Sequence, residues 1–280
     1  MKYIKLFEDF DPSEIPQSEP QFTQWMMKNA PKAVYNPQEW FEEEISKPNP
    51  DWDYIGYIIK ELGLANRLSI SPQNKEYLKS WGLTKEYVDS FSLLHWATWD
   101  DNEKLVEVLI KSGAKLDMQN IQKETPLHLA VQIGEKEIAK MLIDAGAELD
   151  LQNKSEKTPL HLAVEYGYTN IAKMLIEVMK DLDIQGESKR SPLHIAIRLG
   201  HTKMAKMLIE AGANVNLQDR SGQTPLHMAA DYNNFDLAKL LIEMGSKTDI
   251  EDFYERTPWE YTTPNMREAV PELKPNGDSL

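Results

Sequence analysis

Thr125-Pro126-Leu127-His128 returns as Thr158-Pro159-Leu160-His161, as Ser191-Pro192-Leu193-His194 and as Thr224-Pro225-Leu226-His227, each step 33 residues long. One step upstream lies Ser92-Leu93-Leu94-His95, and one step downstream Thr257-Pro258-Trp259-Glu260. Six units therefore run from about residue 92 to 271. The register extends past the tetrapeptide. Two residues after each His comes Ala97, Ala130, Ala163, Ala196 and Ala229, and two apolar ladders follow it: Leu105, Ile138, Ile171, Met204, Leu237, and Leu109, Leu142, Leu175, Leu208, Leu241.

Each unit reads as two short helices and a turn. Thr or Ser supplies an N-cap oxygen for an orphan backbone N–H. Pro at the first helical position loses no hydrogen bond and presets φ. Gly134, Gly167 and Gly200 end the first helices, and Gly113, Gly146, Gly212 and Gly245 the second, as left-handed stops. The stretch after each second helix, such as Leu149–Asn153, is short and reads as the approach to a hairpin tip. No unit can bury its apolar face alone, so the units must stack, with the first and last acting as caps.

Helix-turn-helix units of 33 residues that open with Thr-Pro-Leu-His resemble ankyrin repeats. The resemblance covers about 180 of the 280 residues. It implies an all-α solenoid whose hairpin tips and first-helix ends line a concave, protein-binding groove, and His side chains that tie neighbouring turns together. The chain departs from the family pattern in several places. The Gly that usually stands two residues before the Thr survives as Gly222, and Lys123, Glu156, Lys189 and Glu255 replace it elsewhere. The second helix of one unit ends in Val178-Met179-Lys180 where its neighbours have Ala-Gly-Ala, so it is expected to run on or to bend. The last unit meets Pro264 and Pro271, which predicts a stunted second helix.

Residues 1–90 fall outside the period and hold eight of the 16 prolines and four of the seven tryptophans: Trp25, Trp40, Trp52 and Trp81. Residues 11–37 read as irregular. Helices are expected over Pro37–Lys47, Asp51–Leu64 and Pro72–Gly82, with Ile55, Ile58, Ile59 and Leu62 on one face of the second. The organisation that follows is a partly helical region 1–90 docked on the first repeat, a repeat domain 91–270 and a mobile tail 271–280.

The chemistry of catalysis is missing from the pattern. With no cysteine, thiolate metal sites and cysteine nucleophiles are excluded. Dinucleotide, phosphate-loop, nucleophile-elbow and zinc-protease motifs do not occur. Five of the six histidines are the repeat histidines. Stacked helices lie roughly 8–10 Å apart, whereas one zinc needs nitrogens at about 2.0–2.1 Å, so Thr125/His128, Thr158/His161, Ser191/His194 and Thr224/His227 read as structural pairs. Asp181–Glu187 lacks the third and last ligands of a calcium loop. No cofactor or metal is expected. The net charge of −14, from 31 basic and 45 acidic residues, argues against nucleic acid and anionic membranes. No apolar run is long enough to span a membrane or serve as a signal segment, so a cytoplasmic, monomeric protein is expected.

What remains is a binding surface. The residue before each first-helix stop reads Asp100, Ile133, Tyr166, Leu199, Tyr232, and its predecessor reads Trp99, Gln132, Glu165, Arg198, Asp231. The tips add Arg220, Phe253 and Tyr254. An apolar stripe with a charged rim suits a protein partner. The expected site is thus Trp99, Ile133, Tyr166, Arg198, Leu199, Arg220, Tyr232, Phe253 and Tyr254, in a non-enzymatic adaptor or inhibitor. The alternative is that residues 1–90 carry the activity and the array positions them. Lys140, Lys173, Lys206 and Lys239 form a solvated ladder on the second helices, and Gln119, Gln152, Gln185 and Gln218 suggest a side-chain amide ladder along the stack.

Overall fold

The computed structural model describes residues 31–80 and 83–274, and every regular element among them is helical. Trp25, Trp81 and the part of 11–37 before residue 31 lie outside the described residues, but Pro31–Tyr35 of that stretch, expected to be irregular, forms a helix. The chain divides into two compact units, Met1–Ile121 and Gln122–Leu280, so the first repeat groups with the N-terminal helices.

The N-terminal unit contains α1 (Pro31–Tyr35), α2 (Pro37–Ile45), α3 (Trp52–Glu61), α4 (Pro72–Ser80), α5 (Lys85–Asp89), α6 (Leu93–Trp99) and α7 (Glu103–Lys111). The Asp51 side chain caps α3 by accepting from the Tyr54 N–H. Ile55, Ile58 and Ile59 on its inner face are fully buried, whereas Leu62, expected on the same face, is the C-cap beyond the helix end and is only half-buried. Gly56 lets α3 approach α7 closely: a Cβ there would already touch the Val108 side chain at 3.4 Å. Ser112 Oγ donates to the Gly56 carbonyl. Asn66 donates to the Gly113 carbonyl (3.1 Å) and accepts from the Lys115 N–H (2.8 Å). In the other unit Asn216 makes the same pair of bonds to the Gly245 carbonyl and the Lys247 N–H, across two consecutive repeats. The segment around α3 therefore meets the first repeat as a repeat would.

The C-terminal unit stacks four helix pairs: α8 (Pro126–Ile133) with α9 (Lys136–Asp144), α10 (Pro159–Glu165) with α11 (Thr169–Val178), α12 (Pro192–Arg198) with α13 (Thr202–Glu210), and α14 (Pro225–Asp231) with α15 (Phe235–Glu243). Both apolar ladders of this unit are buried, and Ala130, Ala163, Ala196 and Ala229 have no exposed surface. These small residues let successive first helices pack together. α11 runs one residue longer than its counterparts and leaves through an extended Met179 instead of a left-handed stop.

The end of the stack is closed by a 3-10 turn at Pro258–Tyr261, the six-residue α16 (Pro264–Ala269) and a second 3-10 turn at Pro271–Leu273. Met266, Val270 and Leu273 are fully buried, because the last helix pair has no following repeat to cover it. The stretch from Pro271 to Leu273, read from sequence as the start of a loose tail, is thus part of the cap. Residues 275–280 lie outside the described residues.

Candidate functional site

The repeat histidines set the frame. Thr125 Oγ1 lies 2.8 Å from His128 Nδ1, and the Thr125 N–H donates to that same nitrogen. The Nε2 of His128 reaches the Lys157 carbonyl in the next unit at 3.1 Å. His161, His194 and His227 repeat the arrangement onto the carbonyls of Arg190, Gln223 and Arg256. An amide can only donate and a carbonyl can only accept, so the neutral tautomer with its proton on Nε2 is dictated. Burial disfavours the imidazolium and lowers the pKa of all four, with His161 and His194 down to about 4. These rings are committed to structure.

The glutamine column forms a ladder of a different kind from the one expected. Gln152 donates to its own hairpin at the Glu156 carbonyl and to the next repeat at the Gln185 carbonyl. Gln185 does the same to Lys189 and Gln218, and Gln218 to Gly222 and Glu251. Each amide bonds backbone rather than its neighbour's side chain, because both of its N–H groups are drawn to carbonyls that the hairpin leaves unpaired.

The hairpin tips explain the missing glycines. Lys123, Glu156, Lys189 and Glu255 all adopt left-handed φ values of 53–58°, where Gly222 has 79°. The geometry is kept although the residue is not glycine. At most tips an Asx side chain holds the turn. Asn153 accepts from the N–H groups of Ser155 and Lys157, Asp219 from Ser221 and Gln223, and Asp252 from Tyr254 and Arg256. At the same register Gly186 stands in the third tip, where a Cβ would fall 2.5 Å from the Glu156 carbonyl oxygen.

The candidate surface emerges from the first-helix ends. Tyr166, Leu199 and Tyr232 each occupy the C-cap of a first helix and are 50%, 40% and 51% exposed. The Tyr166 ring packs against that of Tyr168, with ring centroids 5.8 Å apart. Ile133 differs: α8 extends one residue further, so Ile133 is still helical and only half-buried. Arg198 is exposed beside Leu199. Trp99 belongs to the N-terminal unit, where it is half-buried with its ring 6.4 Å from Phe91.

Phe253 and Tyr254 crown the last tip, each 73% exposed. Arg256 is stacked between Tyr254 and Tyr261 at 4.9 and 4.5 Å, while its guanidinium donates to Asp252. Hydrogen bonds from Tyr261, from Arg256 and from the turn backbone hold the Asp252 carboxyl down at about 2, against the opposing effect of desolvation. Arg220 lines a notch of about 520 Å3 between the second, third and fourth tips. Sequence reading missed this notch. Its signal was present in the column Asn120, Asn153, Gly186, Asp219, Asp252, whose third member breaks the Asx rule.

Among the described residues no group of three or more His, Asp or Glu side chains could hold a metal ion, and no helix is long and apolar enough to cross a membrane. Asp181 accepts from the Asp183 N–H and Asp183 from the Asn214 N–H, so both carboxylates of the calcium-like stretch hold backbone.

Comparison with known proteins agrees with this architecture. The family described as ankyrin repeats (3 copies) matches residues 94–186 and 178–252, more than half of the chain. The chain belongs to the ankyrin-repeat family, a class of protein–protein interaction modules. In structure it is similar to the ankyrin repeat domain of Bcl-3, a member of the IkappaB protein family, with a TM-score of 0.63 at 23% identity over 79% of this chain and 95% of that one. In sequence it is 42% identical over 71 residues to the Xenopus tropicalis neurogenic locus notch homolog protein 1, and 34% identical over 74 residues to the human palmitoyltransferase ZDHHC13. Each match covers 25% of this chain, but 3% of the first relative and 12% of the second.

Proposed function

We propose that the chain is a non-enzymatic adaptor or inhibitor that holds a protein partner in the concave groove implied by repeat stacking. The observation that carries this reading is the exposed column Tyr166, Leu199 and Tyr232, three large apolar side chains at consecutive first-helix ends with little core duty. Arg198, Arg220, Phe253 and Tyr254 extend it with charge and aromatic surface. Aromatic anchors with a polar rim are how protein interfaces concentrate binding energy. The partner is a protein rather than nucleic acid, given the charge of −14, and the array works as a cytoplasmic monomer.

The N-terminal helices are read as a cap on the first repeat. The Asn66 contacts to Gly113 and Lys115 support a cap over an independent effector.

The groove is tested by affinity purification from the native source with wild type and Tyr166→Ala/Tyr232→Ala as parallel baits, quantified by mass spectrometry. A protein enriched on wild type and depleted at least tenfold on the variant supports the groove. Equal recovery on both baits overturns it.

A further inference from the structure

We propose that the notch between the second, third and fourth hairpin tips is an anion-binding subsite that receives one carboxylate side chain of an extended protein partner. The proposal rests on the reading of this protein as a protein-binding module and adds the chemistry of one contact.

The notch arises from a defect confined to one tip. Successive tips are joined by a backbone ladder: Lys154 N–H to the Gln122 carbonyl (2.8 Å), Arg220 N–H to Ser188 (2.8 Å) and Phe253 N–H to Ser221 (3.1 Å). Among the described residues, the matching bond from Glu187 N–H to the Ser155 carbonyl is not formed. Gly186 is the cause. It brings the third tip so close to the Glu156 carbonyl that no Asx side chain fits. The turn is then completed by a 3-10 segment, Glu187–Lys189, with two consecutive left-handed residues, Ser188 at φ 60° and Lys189 at φ 53°. The third tip thus lacks its ladder bond to the second, and the notch is lined by residues on either side of that gap.

Its walls are polar and unneutralised. Lys154, Lys189 and Arg220 supply three positive charges, Glu156 and Glu187 two negative ones, and Ser155 and Ser188 two hydroxyls. Among the described residues none of these five charged groups forms an ion pair, although the chain as a whole carries −14. The surplus of one positive charge matches a single carboxylate. A doubly charged phosphoryl group would face Glu156 and Glu187 with one charge unmatched. Arg offers a two-pronged donor face to a carboxylate, and lysines and hydroxyls complete its coordination. Burial is modest, so affinity for an isolated group is low and the notch selects among partners rather than capturing them alone.

The test is a titration of the full chain, followed in 1H–15N NMR spectra, with acetyl-Glu-N-methylamide as probe. Neutral acetyl-Gln-N-methylamide and acetyl-phosphoserine-N-methylamide serve as the other two arms. Saturable shifts with the Glu probe, confined to amides 154–156, 187–189 and 220, are expected. The Gln probe should leave these amides still, and the phosphoserine probe should bind more weakly. Lys189→Ala/Arg220→Ala, both exposed, should weaken the apparent affinity at least tenfold without changing the thermal midpoint. Absent or scattered shifts, equal response of that variant, or tighter phosphoserine binding overturns the carboxylate subsite. Tyr166→Ala/Tyr232→Ala should give the wild-type shifts, so a failed groove and a failed notch are distinguishable; loss of the shifts in this variant overturns the assignment to the notch.

Discussion

His161 Nε2 lies 3.1 Å from the carbonyl oxygen of Arg190, 29 residues further along the chain, while its Nδ1 accepts from the Thr158 N–H. One ring thereby closes a turn and ties it to the next repeat, and it can do so only in its neutral form. The same relationship recurs at His128, His194 and His227.

Stability should therefore fall on mild acidification. The folded pKa of His161 and of His194 is about 4, below the unfolded value near 6.5, so the unfolded chain binds more protons between these limits. The stabilisation is complete above about pH 6.5 and is lost progressively toward pH 4. Each tenfold change in proton affinity is worth about 1.4 kcal/mol. Urea unfolding at pH 7.5, 6 and 5 should show a falling midpoint. His161→Gln should lower stability at pH 7.5 and reduce the slope below pH 6.5.

Glycine at the left-handed tips should stabilise. A non-glycine residue at positive φ costs roughly 1 kcal/mol, and Glu156 and Glu255 both sit near φ 58°. Glu156→Gly and Glu255→Gly should each raise stability by up to about 1 kcal/mol, offset in part by the greater freedom of glycine in the unfolded chain. Gly222→Ala should do the opposite, because its Cβ would approach the Phe253 backbone nitrogen to 2.8 Å. Thermal melts of the three variants decide the signs.

Removing a rung of the glutamine ladder should weaken the coupling between repeats. Gln185 bonds both Lys189 and Gln218 backbone, so Gln185→Met loses two hydrogen bonds at about 0.5–1.5 kcal/mol each. Amide exchange should accelerate in both adjoining tips while the distant α14–α15 pair is unaffected. Uniform acceleration would show that the rung is not a local tie.

The close approach at Gly56 should be intolerant of bulk. A Cβ there already meets Val108 at 3.4 Å, so a larger side chain must push α3 off α7. Gly56→Leu should destabilise the N-terminal unit by about 1–3 kcal/mol, and deletion of residues 1–90 should expose the apolar face of the first repeat. Aggregation of the deleted chain is the expected outcome. A soluble chain with an unchanged melting temperature would contradict the cap.

Much of this protein is legible in its sequence because repeats are local. The 33-residue phase places Thr125, Pro126 and Gly134 at the start and end of a helix by backbone chemistry that operates within a few residues, and it groups Ile138 and Leu142 on one face by helical period alone. Stacking then follows, because a single unit leaves that face wet. The same column reading placed Tyr166 and Tyr232 at helix ends. What sequence could not supply was set by contacts between segments far apart in the chain. Ile133 keeps less exposure than its column because α8 gains a residue before Gly134. Asn66 lies outside the period, yet meets Gly113 and Lys115 as Asn216 meets its neighbours. Gly186 looks like an ordinary turn glycine until the Glu156 carbonyl is seen 2.5 Å from where its Cβ would be. Periodicity records what each unit shares with the next, whereas the notch, the cap and the depth of each side chain depend on how a unit differs from the one it touches, and only the packed structure brings the two together.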